Sequence, residues 1–246
     1  VSQSAVPGRD TVYVWFGRTT GDRPEAARRL LRHAGGMLLG RAEAEIRVGR
    51  DAAGRPFART GDAAELPVSV SHSGDVVVVA ARRAGPVGVD VETRRELPAV
   101  ALARRWYAPE EAAWLADRPA ERHAEAFLLL WTAKEAVGKA LGRGLRDGGL
   151  GRRMPRPDGP GGLLRPVPGP GGLWVGHPRL TGDAAGDRVA VAALAGSPAL
   201  VAAAALTDDP ALAGSPALVA AAAGPGGLVL AVAAGGPVDG VELIAD

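Results

Sequence analysis

The strongest limit on how this chain can fold is the material available for its core. Its 246 residues include five Trp, two Tyr, three Phe and no cysteine, while 47% are apolar. The interior must therefore be packed from Val, Leu and Ala, without a disulfide framework, a thiolate metal site or a sulfur nucleophile. A chain of this length supports one large domain or two small ones around a substantial core. With rings so scarce, Phe127 and Trp131 stand out as core candidates.

The lack of cysteine points to the reducing cytosol. Val1 to Asp10 shows no basic segment followed by an apolar one, so no secretory signal is read there and a cytoplasmic protein is expected. The most apolar window, roughly residues 189 to 206, is interrupted by Gly196-Ser197-Pro198 and is poor material for a membrane span. No membrane partner is expected.

Net charge is only +2, yet the isoelectric point is 9.5. The basic residues are almost all arginine, which does not titrate in this range. Of 29 basic residues only Lys134 and Lys139 are lysine. A composition that uses arginine everywhere else has kept two compact ammonium groups close together, which singles out this segment.

Periodicity predicts an amphipathic helix over Arg23 to Gly40, carried by Ala26, Leu30, Leu31, Ala34, Met37 and Leu38. Short strands are read at Glu45 to Val48, Val68 to Val70, Val76 to Ala81 and Val87 to Glu92. Asp51 to Pro56 reads as a turn, and Ser71-His72-Ser73-Gly74-Asp75 as a hairpin-like turn. A helix begins at Ala108-Pro109-Glu110-Glu111. The clearest helix runs from about Ala120 to Leu141 and stops at Gly142-Arg143-Gly144. Beyond Leu150 the chain is rich in Gly, Pro and Ala; Leu173 to Val175 and Arg188 to Leu194 read as strands. An eleven-residue Ala/Gly/Ser/Pro/Leu/Val segment occurs at Ala195 to Ala205 and again from Ala213, too few copies for a solenoid. No chemistry is assigned to this tail.

Two segments carry chemistry. In Gly88-Val89-Asp90-Val91-Glu92 the period of two puts Asp90 and Glu92 on one strand face, with Val89 and Val91 turned to the core. Adjacent carboxylates repel unless a cation separates them, and hard oxygen donors suit Mg²⁺. Taken alone, such a pair is as well explained by a solvated strand face. In Trp131-Thr132-Ala133-Lys134-Glu135-Ala136-Val137-Gly138-Lys139, positions 131, 135 and 139 share one helix face. A surface Glu–Lys pair is the plain alternative, but Trp131 on the same face places the pair at a buried boundary. A carboxylate beside a metal and an ammonium beside a phosphate are what displacement at a phosphoryl ester requires.

G-x-D-x-E followed about forty residues later by W-x-x-K-E-x-x-x-K-x-x-G-x-G-L resembles the signature of the phosphopantetheinyl transferase superfamily. Gly54-Arg55-Pro56 and Ser71-His72-Ser73 stand where the larger, single-chain members carry a G-K-P turn and an S-H-S turn, with arginine here replacing lysine. Arg104-Arg105-Trp106-Tyr107-Ala108-Pro109-Glu110-Glu111 resembles the family segment entering the next helix. The resemblance covers about residues 20 to 150 well, 172 to 194 loosely, and then fails.

The resemblance implies an α+β fold of two similar halves related by a pseudo-twofold, with the active site in the cleft between them. The halves would be residues 1–95 and 96–194, leaving 195–246 as an unassigned low-complexity tail. It implies transfer of the 4'-phosphopantetheine arm of coenzyme A to a serine of an apo acyl or peptidyl carrier protein, with adenosine 3',5'-bisphosphate released. Asp90, Glu92 and Glu135 would hold Mg²⁺. Glu135 would act as base, directly or through water, and Lys139 would neutralise the leaving phosphate. Arg32, Arg55, Ser71, His72, Lys134 and Lys139 would bind coenzyme A, with Lys134 directed about 100° away from Glu135 on the helix. A monomer without nucleic-acid partners is expected. The competing reading is a non-catalytic basic protein that binds carrier proteins or nucleic acid; it leaves the paired carboxylates unexplained.

Overall fold

The computed structural model of the protein describes residues 10–62, 64–146, 148–157, 164–178, 180–182, 189–191, 223–224, 227–236 and 238–245. Strand β1 (Thr11–Arg18) leads into helix α1 (Arg23–Leu39), then β2 (Arg47–Arg50), β3 (Pro56–Arg59), β4 (Glu65–Leu66), β5 (Val68–Ser73), β6 (Val76–Ala81) and β7 (Val87–Thr93). Three helices follow: α2 (Ala99–Trp106), α3 (Pro109–Ala116) and α4 (His123–Ala140). The remaining described strands are β8 (Arg165–Pro166), β9 (Leu173–Gly176), β10 (Leu180–Gly182), β11 (Val189–Val191), β12 (Ala223–Gly224), β13 (Leu228–Gly235) and β14 (Gly240–Ala245). The fold is mixed α+β, as expected. No helix among the described residues is long and apolar enough to cross a membrane.

Helix α1 starts where Asp22 caps the Glu25 amide and ends at Gly40, whose φ of 66° closes the last turn in a left-handed conformation. Its buried Leu30, Leu31 and Leu38 cover one face of the sheet β14-β1-β6-β5, against Trp15, Val77 and Val79. The other face of that sheet presents Val12, Val14, Val76 and Val78 to Val89, Val91, Leu230 and Val232 of a second sheet. In this second sheet β13 pairs antiparallel with β7, β9 and β12. Helices α2, α3 and α4 close its outer face through Tyr107, Leu115, Phe127 and Leu130. The layers are thus helix, sheet, sheet, helix, and apart from Phe16 the buried core between the sheets is aliphatic, as the composition demanded.

Three differences from the sequence reading concern the site or its surroundings. Ser71-His72-Ser73 is not turn but strand: β5 continues to Ser73, and Gly74, with φ of 59°, and Asp75 alone make the hairpin loop. Strand β7 is covered on both faces rather than one, because α4 lies over the Asp90 side. The stretch 195–246, given no element from sequence, supplies β13, which pairs with both β7 and β9, and β14, which pairs parallel with β1. The duplicated segment lies almost entirely outside the described residues, as do Arg188 and residues 192–194 of the strand expected beside them.

Where the two sheets meet, β5 and β7 are joined through side chains. The hydroxyls of Ser69, Ser71 and Ser73 accept hydrogen bonds from the amides of Val89, Val91 and Thr93 at 3.1, 3.3 and 2.9 Å. Serine at every second position of β5 thus substitutes for a backbone ladder. Ser69→Ala should leave the buried Val89 amide unpaired and lower unfolding free energy by about 1–3 kcal/mol, as read by urea denaturation. An unchanged midpoint would mean that the seam is held by packing alone.

Candidate active site

The site is set by a glycine. At Gly88 a Cβ would lie 1.9 Å from the Ala136 carbonyl oxygen and 2.7 Å from the Ala140 nitrogen, so α4 rests directly on β7 there. Two residues on, Asp90 projects from the same strand face toward the last turn of that helix. The Lys139 ammonium donates to Asp90 Oδ1 at 2.7 Å, Ser71 Oγ at 3.0 Å and the Val89 carbonyl at 3.0 Å. All three of its donors are used. Ser71 donates to Asp90 Oδ1 at 2.7 Å while accepting from Lys139 and from the Val91 amide. Its hydroxyl is therefore also fully engaged.

The carboxylates outnumber this cation. Asp90 is 6% exposed, and its Oδ2 is buried without a hydrogen-bond partner. Burial pushes its pKa up, opposed by Lys139 and Ser71, and the charge of Glu92 pushes it further. Glu92 accepts from Arg95 at 2.7 Å and from the Ser73 hydroxyl at 3.5 Å. Glu135 lies one turn before Lys139, half-buried. Its pKa is raised by burial, then by the charge of Asp90, and to a lesser degree by Glu92, with Lys139 acting against them.

No group of three acidic or histidine side chains is already gathered as a metal-binding cluster among the described residues. Asp90, Glu92 and Glu135 nevertheless fit a hard divalent cation on two counts. A buried Asp90 oxygen is orphaned, and beyond the effect of burial the charge of Glu92 raises the pKa of Asp90 while the charges of Asp90 and Glu92 raise that of Glu135, with Lys139 opposing both.

This frustration has a measurable consequence. Because the Glu135 carboxyl is held above its ordinary 4.5, the folded state binds the proton more tightly than the unfolded chain does. Its ionised form destabilises the fold; that penalty is absent below the unfolded value and complete once pH exceeds the folded one. With chelator present, Glu135→Gln should melt above wild type near neutral pH, the gap closing below about pH 4.5. A variant that melts lower at every pH would contradict the arrangement.

The structure gathers Ser71, Asp90, Glu92, Glu135 and Lys139, but not the other expected residues. Lys134 was expected at cofactor phosphates. Its ammonium is instead fully buried on another side of α4, donating to Glu111 Oε2 at 2.6 Å and to the Arg152 carbonyl. Arg55 pairs through Nε with Asp51 at 2.8 Å, and its guanidinium lies against Gly142 beyond the end of α4. Arg32 pairs with Glu25 at 3.4 Å on the exposed side of α1. His72 is exposed and alternates with Ser71, so it projects from the opposite face of β5.

Two glycines and a glutamate were missed as determinants of the site. Gly138 must lack a side chain because a Cβ would sit 2.1 Å from the Gly144 carbonyl, where residues 142–144 fold back over the helix end. A glycine inside a helix costs about 1 kcal/mol relative to alanine, which is itself the sequence signal that something needs the space. Gly88 carries the same signal within a strand. Glu111, read only as part of a first helical turn, is the partner of Lys134.

Residues 86–156 match the 4'-phosphopantetheinyl transferase superfamily. The 4'-phosphopantetheinyl transferase psf-1 of Bacillus pumilus is 41% identical over 80 residues, covering 32% of this chain and 34% of the relative. HetI, a 4'-phosphopantetheinyl transferase of Nostoc, is 31% identical over 126 residues, covering 49% and 52%. The 4'-phosphopantetheinyl transferase gsp of Aneurinibacillus migulanus is 32% identical over 92 residues, covering 37% and 36%. The chain thus spans between 34% and 52% of the length of these curated relatives. The matched segment contains Gly88, Asp90, Glu92, Glu135 and Lys139, so the similarity to the 4'-phosphopantetheinyl transferase superfamily falls on the site itself.

Proposed function

We propose that the protein transfers the 4'-phosphopantetheine arm of coenzyme A to a serine hydroxyl of an apo acyl or peptidyl carrier protein, in a Mg²⁺-dependent reaction that releases adenosine 3',5'-bisphosphate. The observation that carries this reading is the buried, unpartnered Asp90 oxygen, with the half-buried Glu135 carboxyl destabilised by the charges of Asp90 and Glu92, inside the segment that matches the superfamily. Bound Mg²⁺ would supply charge neutralisation for the pyrophosphate. Asp90, Glu92 and Glu135 would hold it.

The chain's own groups divide the remaining work. Glu135, half-buried and with a raised pKa, would take the proton of the incoming serine, directly or through water, as that oxygen bonds to phosphorus. Lys139, part-exposed with its three donors already engaged, would meet the charge that develops on the departing phosphate through its own charge, or by exchanging one of those hydrogen bonds for the phosphate. Ser71 holds Asp90 and Lys139 in register through its hydroxyl. Arg32, Arg55 and His72 would bind the far end of coenzyme A. Arginine at position 55 can still engage a phosphate through two hydrogen bonds.

The reading includes two similar halves, 1–95 and 96–194, with substrate in the cleft between them and 223–245 contributing strands to both sheets. Its support is that each facing sheet carries its own helical cover, and that Ser71 and Asp90 precede the boundary whereas Glu135 and Lys139 follow it. A non-catalytic basic binding protein is not favoured, since it offers no reason to set the unpaired Asp90 oxygen beside the charges of Glu92 and Glu135. Chromatography for adenosine 3',5'-bisphosphate tests the proposal: release is expected only when Mg²⁺ and apo carrier protein are both present. Release without carrier would point to hydrolysis, and no release at all would sink the reading.

A further inference from the structure

Lys134 is adjacent in sequence to Glu135, yet its environment is closed. Its side chain has no exposure, and the ammonium reaches Glu111 Oε2, the Arg152 carbonyl and, at 4.8 Å, the centre of the Tyr107 ring face. Two donors are hydrogen-bonded and the remaining side is covered by the ring, so no direction is left for a phosphate. Glu111 is equally committed. Its Oε1 accepts the Met154 amide at 2.7 Å, and Oε2 also accepts the Ala108 amide at 3.1 Å at the start of α3. One buried carboxylate therefore ties α3, residues 152–154 and α4 together.

We propose that Lys134 is a positioning residue: its ammonium, held by Glu111, the Arg152 carbonyl and the Tyr107 ring, fixes the rotation of α4 and thereby the direction of Glu135 and Lys139. The contact at Gly88 sets how closely the helix approaches β7, but a close backbone contact does not set rotation about the helix axis. A second anchor, about 100° around the helix from Glu135, does. The inference rests on the functional reading above for its catalytic consequence, but its structural content is independent of it.

The test is a double-mutant cycle of Lys134→Met, Glu111→Gln and their combination. Each single substitution leaves a buried partner unbalanced, whereas the pair removes both charges and keeps a carbonyl acceptor for Met154. Four readouts are compared with wild type: kcat, KM for coenzyme A, the dissociation constant for coenzyme A by calorimetry, and amide hydrogen exchange over residues 131–140. Lys134→Met is expected to lower kcat at least tenfold, leave KM and the dissociation constant within threefold, and speed exchange over α4. The double variant should regain most of both the kcat and the protection. If Lys134→Met proves insoluble, Glu111→Gln alone should show the same pattern more mildly. A loss of coenzyme A affinity that the second substitution does not restore, or unchanged exchange over α4, overturns the proposal. Absent transfer by wild type would defeat the functional reading instead, and the exchange data would still decide the role of Lys134.

Discussion

Asp90→Ala is expected to reduce transfer by at least about a thousandfold. The substitution removes the acceptor that holds Lys139 and Ser71 and also the oxygen left unpartnered for a cation. Few carboxylates are available at such a site, so the loss of one cannot be absorbed by its neighbours. The substitution removes a buried charge but also leaves the Lys139 ammonium without its carboxylate, so the comparison requires that the fold be verified by thermal unfolding. Steady-state transfer assays on a variant that melts like wild type settle the matter. Activity within threefold of wild type would remove Asp90 from the reaction.

The second large effect concerns a residue with no functional group. Gly88→Ala puts a methyl 1.9 Å from the Ala136 carbonyl oxygen, a collision with backbone that no rotamer can relieve. Helix α4 must lift from β7, at a cost of about 3 kcal/mol or more in stability, and Lys139 and Glu135 move with it. A displacement near 1 Å at a reacting centre lowers turnover on the order of a hundredfold. Thermal unfolding and kcat should fall together. Wild-type kcat in Gly88→Ala would show that the close crossing is incidental to the site.

Much of the site was legible because it is local. Period two in 88–92 and period four across Trp131, Glu135 and Lys139 place side chains on faces without any knowledge of tertiary structure. Helix α4 was read from the spacing of Phe127, Leu128, Trp131, Ala136 and Ala140, and its end from Gly142. The parts that escaped depend on distant pairing. Nothing in the run Leu228-Val229-Leu230-Ala231-Val232 says that it lies between β7 and β9, since a small-residue apolar run fits a strand, a helix or a low-complexity tail alike. The Ser71 segment looked like a turn because serine, glycine and aspartate favour turns, whereas its serines are occupied in bonding the amides of β7. Lys134 was read by resemblance as a phosphate contact; only the packing of α3 against α4 reveals Glu111 as its partner.

The central claim is that the carboxylates around Lys139 serve transfer of a phosphopantetheine group to a carrier protein. Intact-protein mass spectrometry of an apo carrier protein incubated with coenzyme A, Mg²⁺ and this protein tests it most directly. The predicted result is a gain of one phosphopantetheine on the carrier serine, lost when Mg²⁺ is chelated and lost with Glu135→Gln. An unmodified mass across a panel of acyl and peptidyl carrier proteins, or a gain that persists in Glu135→Gln, would contradict it.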